Sequence, residues 1–217
     1  ARRSQNDRMT PVFFRDQTNV SRETLARLVN YAEILQRWQS KINLISPGSQ
    51  NSLWTRHMLD SAQLIDHIPP ETKIITDLGS GAGFPGLVIA IVAGIETHLV
   101  ESDSRKSAFL REVIRQTGAT AHVHNFRAEE IDPWPSSIIT ARALAPLPKL
   151  LSYAAPFLRA SMSDKPPYCL FLKGITWQEE LTAAEDSWHI QCQDVVSMTD
   201  PASRILILKN PTPKLSG

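Results

Sequence analysis

Residues 73–86, KIITDLGSGAGFPG, constrain the chain more than any other stretch. An apolar run ends at Asp77 and passes into Gly79, Gly81, Gly83 and Gly86, followed by the apolar segment LVIAIVAG. Glycines at this density let a backbone turn sharply off a strand and approach a cofactor where any Cβ would intrude. The pattern predicts a strand, a nucleotide-cofactor loop and a helix. That combination belongs to α/β folds and not to bundles or β-sandwiches.

The rest of the chain agrees. Strand signals at 97–102, 121–126, 136–144, 168–174, 190–198 and 204–210 follow the first at 73–79. Residues 104–118 show helical periodicity with Gly118 as the stop, and helical connections are expected between the third and fifth strands, PLPKLLSYAAPFLRA among them. Only TDPAS separates the last two strands, too short for a parallel crossover, so these should pair as an antiparallel hairpin. Ahead of the sheet, Ser21 can cap a helix with Leu25, Leu28, Val29, Ala32, Leu35, Trp38 and Ile42 on one face. A second helical pattern runs from about residue 53 to 65 and ends before Pro69 and Pro70. These prolines divide the chain into an N-terminal arm with helices, 1–68, and a sheet domain, 69–217.

A hydrophobic content of 42% and a formal net charge of +1 fit a globular chain and say nothing by themselves about nucleic acid. The distribution says more. Residues 1–60 hold nine Lys/Arg against five Asp/Glu, whereas 61–217 hold fourteen against seventeen, so the basic surplus lies at the front. It would draw a phosphate-bearing partner, or it is a solvated helical face. Cys169 and Cys192 lack metal-ligand spacing and sit in apolar segments, so each reads as a packed thiol, and no metal is expected. No run approaches a membrane span, and the first residues lack the apolar core of a signal peptide. A cytoplasmic monomer with no membrane partner is expected.

In an open α/β sheet, ligands lie outside the carboxyl ends of the strands. The first strand offers Gly79 and Gly81 beneath a cofactor, with Phe84 either covering its apolar side or packing in the core. Glu101, twenty residues past Gly81, can accept hydrogen bonds from two ribose hydroxyls, or it caps the next helix, a role that suits Asp103 better. Ala128 and Glu129 follow the third strand as candidates for the edge of an adenine, or Glu129 is an acid in the first turn of a helix. Arg142 ends the fourth strand, where a cation is costly without a partner or ligand. Lys173 and Gly174 end the fifth in the same way. Arg56, His57 and Asp60 share a helical face. Arg56 and His57 either help close the site or contact a phosphate-bearing partner, or the group forms a salt link between helix and domain.

The spacing D-x-G-x-G-x-G resembles the first motif of S-adenosylmethionine (AdoMet) methyltransferases, and seven strands with a terminal hairpin resemble their class I, Rossmann-like fold. KINLIS (41–46), RHMLDS (56–61), DLGSGAGFPG (77–86), RAE (127–129), ARA (141–143) and LKG (172–174) resemble, in order and spacing, the bacterial 16S ribosomal RNA guanine-N7 methyltransferases, the glucose-inhibited division protein B family. The match runs from about residue 25 to 209, with RHMLDS its most specific part. The resemblance implies methylation of a guanine in the 530 loop of 16S ribosomal RNA, free or in the small subunit, with AdoMet contacted at Gly79, Phe84, Ala128, Glu129 and Arg142. Guanine N7 carries an in-plane lone pair and no proton, so positioning suffices without a general base. Two rivals remain at this point: an NAD-dependent oxidoreductase, since residues 81–86 satisfy G-x-G-x-x-G, and a non-catalytic RNA-binding assembly factor on the same scaffold.

Overall fold

The computed structural model describes residues 10–161 and 167–214. Its centre is a seven-stranded sheet of order β3-β2-β1-β4-β5-β7-β6. The strands are β1 (Ile74–Leu78), β2 (Glu96–Val100), β3 (Ala121–His124), β4 (Ile138–Arg142), β5 (Tyr168–Lys173), β6 (Trp188–Val196) and β7 (Arg204–Pro213). β1 to β5 run parallel, while β7 is antiparallel to both β5 and β6. The terminal hairpin therefore forms as expected, with its second strand inserted next to β5.

Among the described residues seven α-helical segments accompany the sheet: α1 (Pro11–Thr18), α2 (Arg22–Gln39), α3 (Asp60–Ala62), α4 (Gly86–Ala93), α5 (Ser104–Thr117), α6 (Leu147–Ala160) and α7 (Trp177–Glu185). Local chemistry explains their ends. Ser21 Oγ accepts from Thr24 N at 3.0 Å to start α2, and Asp103 accepts from the amides of Arg105 and Lys106 to start α5. Gly94 and Gly118 stop α4 and α5 in the left-handed conformation. α4 buries six of its eight residues, as a helix apolar all round must.

One core joins α2, α4 and α5 to one face of β2 and β3, and a second joins α6 and α7 to β4, β5 and β7. The N-terminal helices are built into the first. Phe14 of α1 meets the edge of Trp54, and Leu28, Tyr31 and Leu35 of α2 pack with Leu87, Phe109 and Val113. Arg27 fastens this layer, donating to the carbonyls of Thr117 at 2.7 Å, Gly118 at 3.0 Å and Ile91 at 3.3 Å, oxygens that helix geometry leaves free at C-termini.

Three local expectations change. The polar arm contains a helix, α1, capped by Thr10 with Pro11 in its first turn, while the arm's first nine residues lie outside the described ones. The second helical pattern is irregular: a 3-10 turn (Pro47–Ser52), a π turn (Trp54–Leu59), one turn of α-helix and a second 3-10 turn (Gln63–His67). The β3–β4 connection holds no helix, because Pro133 and Pro135 fix their own backbone and remove amide donors. Trp134 fills the space instead, donating from Nε1 to Thr76 Oγ1 at 2.9 Å and meeting the edge of Phe157.

Candidate functional site

β1 is flanked by β2 on one side and β4 on the other, so the chain reverses its direction of travel across the sheet there and leaves a crevice at the carboxyl ends. A cleft of about 490 Å³ occupies it. Its floor is the glycine loop. Gly79 and Gly81 have φ of +65° and +56°, and a Cβ on Gly79 would lie 2.5 Å from Leu144 Cδ1. The loop is held from below, where the Tyr31 hydroxyl donates to the Ala82 carbonyl, and from the side, where Ser80 N donates to Val100 O at 3.1 Å.

Glu101 joins two strand tips. Its Oε2 accepts from Gly81 N at 2.8 Å and its Oε1 from Asp103 N at 2.7 Å, so it does not cap α5; Asp103 does. An ionised carboxylate keeps further acceptor sites after two such bonds. Asn125 extends the junction, its Nδ2 donating to the carbonyls of Glu101 and Ser102 at 2.9 and 3.0 Å.

Opposite lies Arg142, half-buried at the end of β4. Its Nη2 donates to His57 Nδ1 at 2.6 Å, its Nη1 to Arg56 O at 2.9 Å, and its Nη1 stands 3.6 Å from Asp60 Oδ2. The guanidinium carbon lies 5.1 Å from the centroid of Phe84, a ring also stacked on Tyr31 and tilted against His57. Burial, then the cations Arg142 and Arg56, push the His57 pKa down to about 3. The imidazole is neutral, Nδ1 accepts, and Nε2 carries a proton with no partner among the described residues. Behind the loop, burial raises Asp77 to about 6 against a 2.7 Å hydrogen bond from Thr140.

A second hollow of about 380 Å³ adjoins the first, and Arg142, Ala143 and Leu144 line both. Ala143, at φ +53°, turns the chain there in a conformation that costs a residue with a Cβ. Lys173 lines the second hollow, with Nζ 2.5 Å from Glu180 Oε2 and donating to Ala145 O at 3.0 Å.

Residues 24–206 match the family described as rRNA small subunit methyltransferase G, GidB. The chain belongs to this family. It is 48% identical over 201 residues to the ribosomal RNA small subunit methyltransferase G of Paramagnetospirillum magneticum, covering 93% of this chain and 96% of that one. The corresponding enzyme of Gluconobacter oxydans is 50% identical over 189 residues, 87% of this chain and 95% of its own. Among solved structures, a MtNAS variant in complex with S-adenosylmethionine superposes with a TM-score of 0.55 at 13% identity, over 93% of this chain and 84% of that one. A TehB-like SAM-dependent methyltransferase from Corynebacterium glutamicum gives 0.53 at 14%, over 83% and 98%. Such likeness establishes the class I methyltransferase fold. Membership in the GidB family leaves the dehydrogenase expectation without support.

Every candidate site residue named from the sequence falls within the segment matched to the GidB family. Gly79, Gly81, Phe84, Glu101, Ala128, Glu129, Arg142 and His57 line the first cleft together, although Phe84 is only 3% exposed and serves mainly as buried support beneath it. Lys173 stands apart in the second hollow. Arg56 lines neither; its side chain is exposed, and its contribution to the Arg142 cluster is a backbone carbonyl. Asp60 takes the salt-link role and more, its Oδ1 accepting from Gln63, Thr199 and Ser197 and so tying the β6–β7 link to the segment before the sheet. Gln63, Ser197 and Asn125 carry no sequence signal for these roles, since each acts through a partner distant in the chain. Lys106 and Phe126 also line the cleft, and the 55% exposure of Phe126 on a polar strand tip marks it as available to a ligand.

Proposed function

We propose that this chain transfers the methyl group of S-adenosylmethionine to N7 of a guanine in the 530 loop of 16S ribosomal RNA. One observation carries the reading: Gly79, Gly81, Glu101, Ala128, Glu129 and Arg142, drawn from four strand ends, converge on a single cleft in a chain of the rRNA small subunit methyltransferase G family. The residues fit the donor. The glycine loop gives close backbone approach, Glu101 keeps acceptor capacity for ribose hydroxyls, and Ala128 and Glu129 would face the adenine, with Phe126 as an exposed ring beside them. His57 Nε2 supplies a buried donor in want of an acceptor.

When bound, the cofactor supplies a sulfonium methyl group. The protein's part is orientation. His57, held near pKa 3 with Nδ1 occupied, cannot serve as a base at neutral pH, and an N7 acceptor requires none. Positioning alone can contribute about 7 to 11 kcal/mol toward such a transfer. The second hollow, reached across Arg142, Ala143 and Leu144, is where the guanine would enter, with Lys173 at its wall. The exposed Arg56 is on hand for phosphate.

In this reading residues 69–217 form the catalytic domain, and residues 1–68 are an arm and helices that brace its glycine loop and share its core. The protein would work as a monomer on 16S RNA or the small subunit in the cytoplasm. No helix among the described residues is long and apolar enough to cross a membrane.

Transfer of labelled methyl from AdoMet to naked 16S RNA and to small subunits, followed by nuclease digestion and mass spectrometry, tests the assignment. The expected product is 7-methylguanosine in the 530 loop. Methyl at another nucleotide would overturn the acceptor, and cofactor binding with no transfer to either RNA form would favour the non-catalytic scaffold.

A further inference from the structure

Three of the chain's six histidines, none of them in the cleft, meet on the sheet face left without a helix between β3 and β4. Strand alternation puts them there. Leu99 and Ala121 point into the core beneath α4 and α5, so Glu96, His98, His122 and His124, each an even number of positions from the next on its strand, turn to the opposite face. Parallel register then sets His98 beside His122. Trp134 covers part of the group, stacking on His124 at 4.3 Å and tilting against His98 at 4.9 Å.

Glu96 Oε1 lies 3.2 Å from His98 Nε2 and 3.5 Å from His122 Nε2, and the three atoms are all within 4.8 Å of one another. Ligands about 2.0 to 2.1 Å from a tetrahedral zinc stand roughly 3.3 Å apart, so the two measured separations already have the span of a zinc site's edges. Behind them, His98 Nδ1 is 2.9 Å from His124 Nε2. With Nδ1 donating to His124, His98 presents a lone pair at Nε2, the tautomer a metal needs, and a neighbour of this kind fixes the ring. Exposure is graded: the side chain of His98 is 16% exposed, Glu96 43% and His122 59%, so an ion could enter from solvent and keep water in its remaining position.

We propose that Glu96 Oε1, His98 Nε2 and His122 Nε2 bind a divalent ion of the zinc class, with His124 as a positioning residue. Two imidazoles and a carboxylate suit Zn²⁺ better than the oxygen-seeking Mg²⁺ or Ca²⁺. The ion would clamp β2 to β3, the strands whose tips carry Glu101 and Asn125, without touching the cleft itself.

The full chain, free of affinity tag and stripped with chelator, is titrated with zinc chloride by calorimetry. One ion per chain is expected, with a rise in melting temperature. His122→Ala, a substitution at an exposed position that leaves the core intact, should weaken binding at least tenfold and abolish the thermal shift, as should Glu96→Gln. His124→Phe, which keeps the stack on Trp134 but cannot accept, should weaken binding by about 10- to 100-fold. His189→Ala, removing an exposed histidine on β6, should change nothing. X-ray absorption of the loaded protein should show a nitrogen and oxygen shell with two imidazoles. Absence of saturation at one ion per chain, or a His122→Ala protein that titrates like the wild type, overturns the site. In that case Glu96 and the histidines are only hydrogen-bonded neighbours.

Discussion

Arg142 Nη2 donates to His57 Nδ1 across 2.6 Å, joining the tip of β4 to the irregular helical passage that precedes the sheet. The same guanidinium reaches Arg56 O and Asp60, so a single cation both borders the cleft and holds its near wall. Removing it would leave His57 Nδ1, the Arg56 carbonyl and the Asp60 carboxylate without their shared partner. Arg142→Ala is expected to destabilise the protein by about 1 to 3 kcal/mol in urea titrations, the cost of leaving half-buried hydrogen-bonding groups without their partner. Arg142→Lys keeps the charge but not the fork, and should recover only part of the stability and of the AdoMet affinity measured by calorimetry. An Arg142→Lys protein as stable as the wild type would show that the fork geometry is irrelevant.

Acid stability follows from His57. Its folded pKa of about 3 lies below the value of about 6.5 in an unfolded chain. Below pH 6.5 the unfolded state binds a proton that the native state refuses, so this group's contribution is complete above 6.5 and is lost as the pH falls toward 3. Its limiting slope is about 1.4 kcal/mol per pH unit for one proton. Asp77 acts in the opposite sense: held near 6 in the fold, it favours the native state below its ordinary range and loses that advantage as the pH rises through 6. Between pH 4 and 6 the two partly cancel. Asp77→Asn should therefore steepen the fall in stability from pH 6.5 to 4, and His57→Asn should flatten it, both read from urea midpoints across that range. Parallel pH profiles in all three proteins would refute the assignment.

Gly79→Val places a branched side chain at a φ of +65° and against Leu144. The left-handed backbone alone costs about 1 to 2 kcal/mol, which a domain of this size should survive. Calorimetry should find AdoMet binding abolished in a protein that still unfolds cooperatively. Retained affinity would show that the loop does not underlie the cofactor.

Tyr31→Phe tests the brace supplied by α2. The substitution leaves the buried Ala82 carbonyl without its donor, a loss of about 1 to 3 kcal/mol. Since Ala82 lines the cleft, AdoMet affinity should fall together with stability. A variant that loses stability alone would confine the role of Tyr31 to the core.

What could be read from the chain in advance was whatever local chemistry decides. The apolar runs of β1, β4 and β5, the glycines at 79 and 81, and the Asp103 cap depend on neighbours within a few residues, and each formed where its pattern indicated. The gathering of the candidate residues followed from the rule that parallel strands open their binding crevice at one end. Elsewhere the deciding partner was remote. Asp60 owes its position to Thr199 and Arg142, and Glu101 to the Gly81 amide, contacts that no spacing in the sequence discloses. The stretch from about residue 53 to 65 has helical periodicity yet winds through π, α and 3-10 turns, where Arg142 takes the Arg56 carbonyl and Phe84 packs on His57. The histidine group is the clearest case: positions 96, 98, 122 and 124 become neighbours only once β2 lies beside β3 in register.

Among the described residues β7 is the last strand in chain order and yet an interior one, bonded to β5 on one side and β6 on the other. During synthesis, therefore, the sheet stays split until residue 213 has emerged from the translating machinery, and two bare edges wait on the nascent chain. An arrest before that point leaves those edges open to foreign strands, so interrupted translation should yield aggregates and not a slightly shortened enzyme.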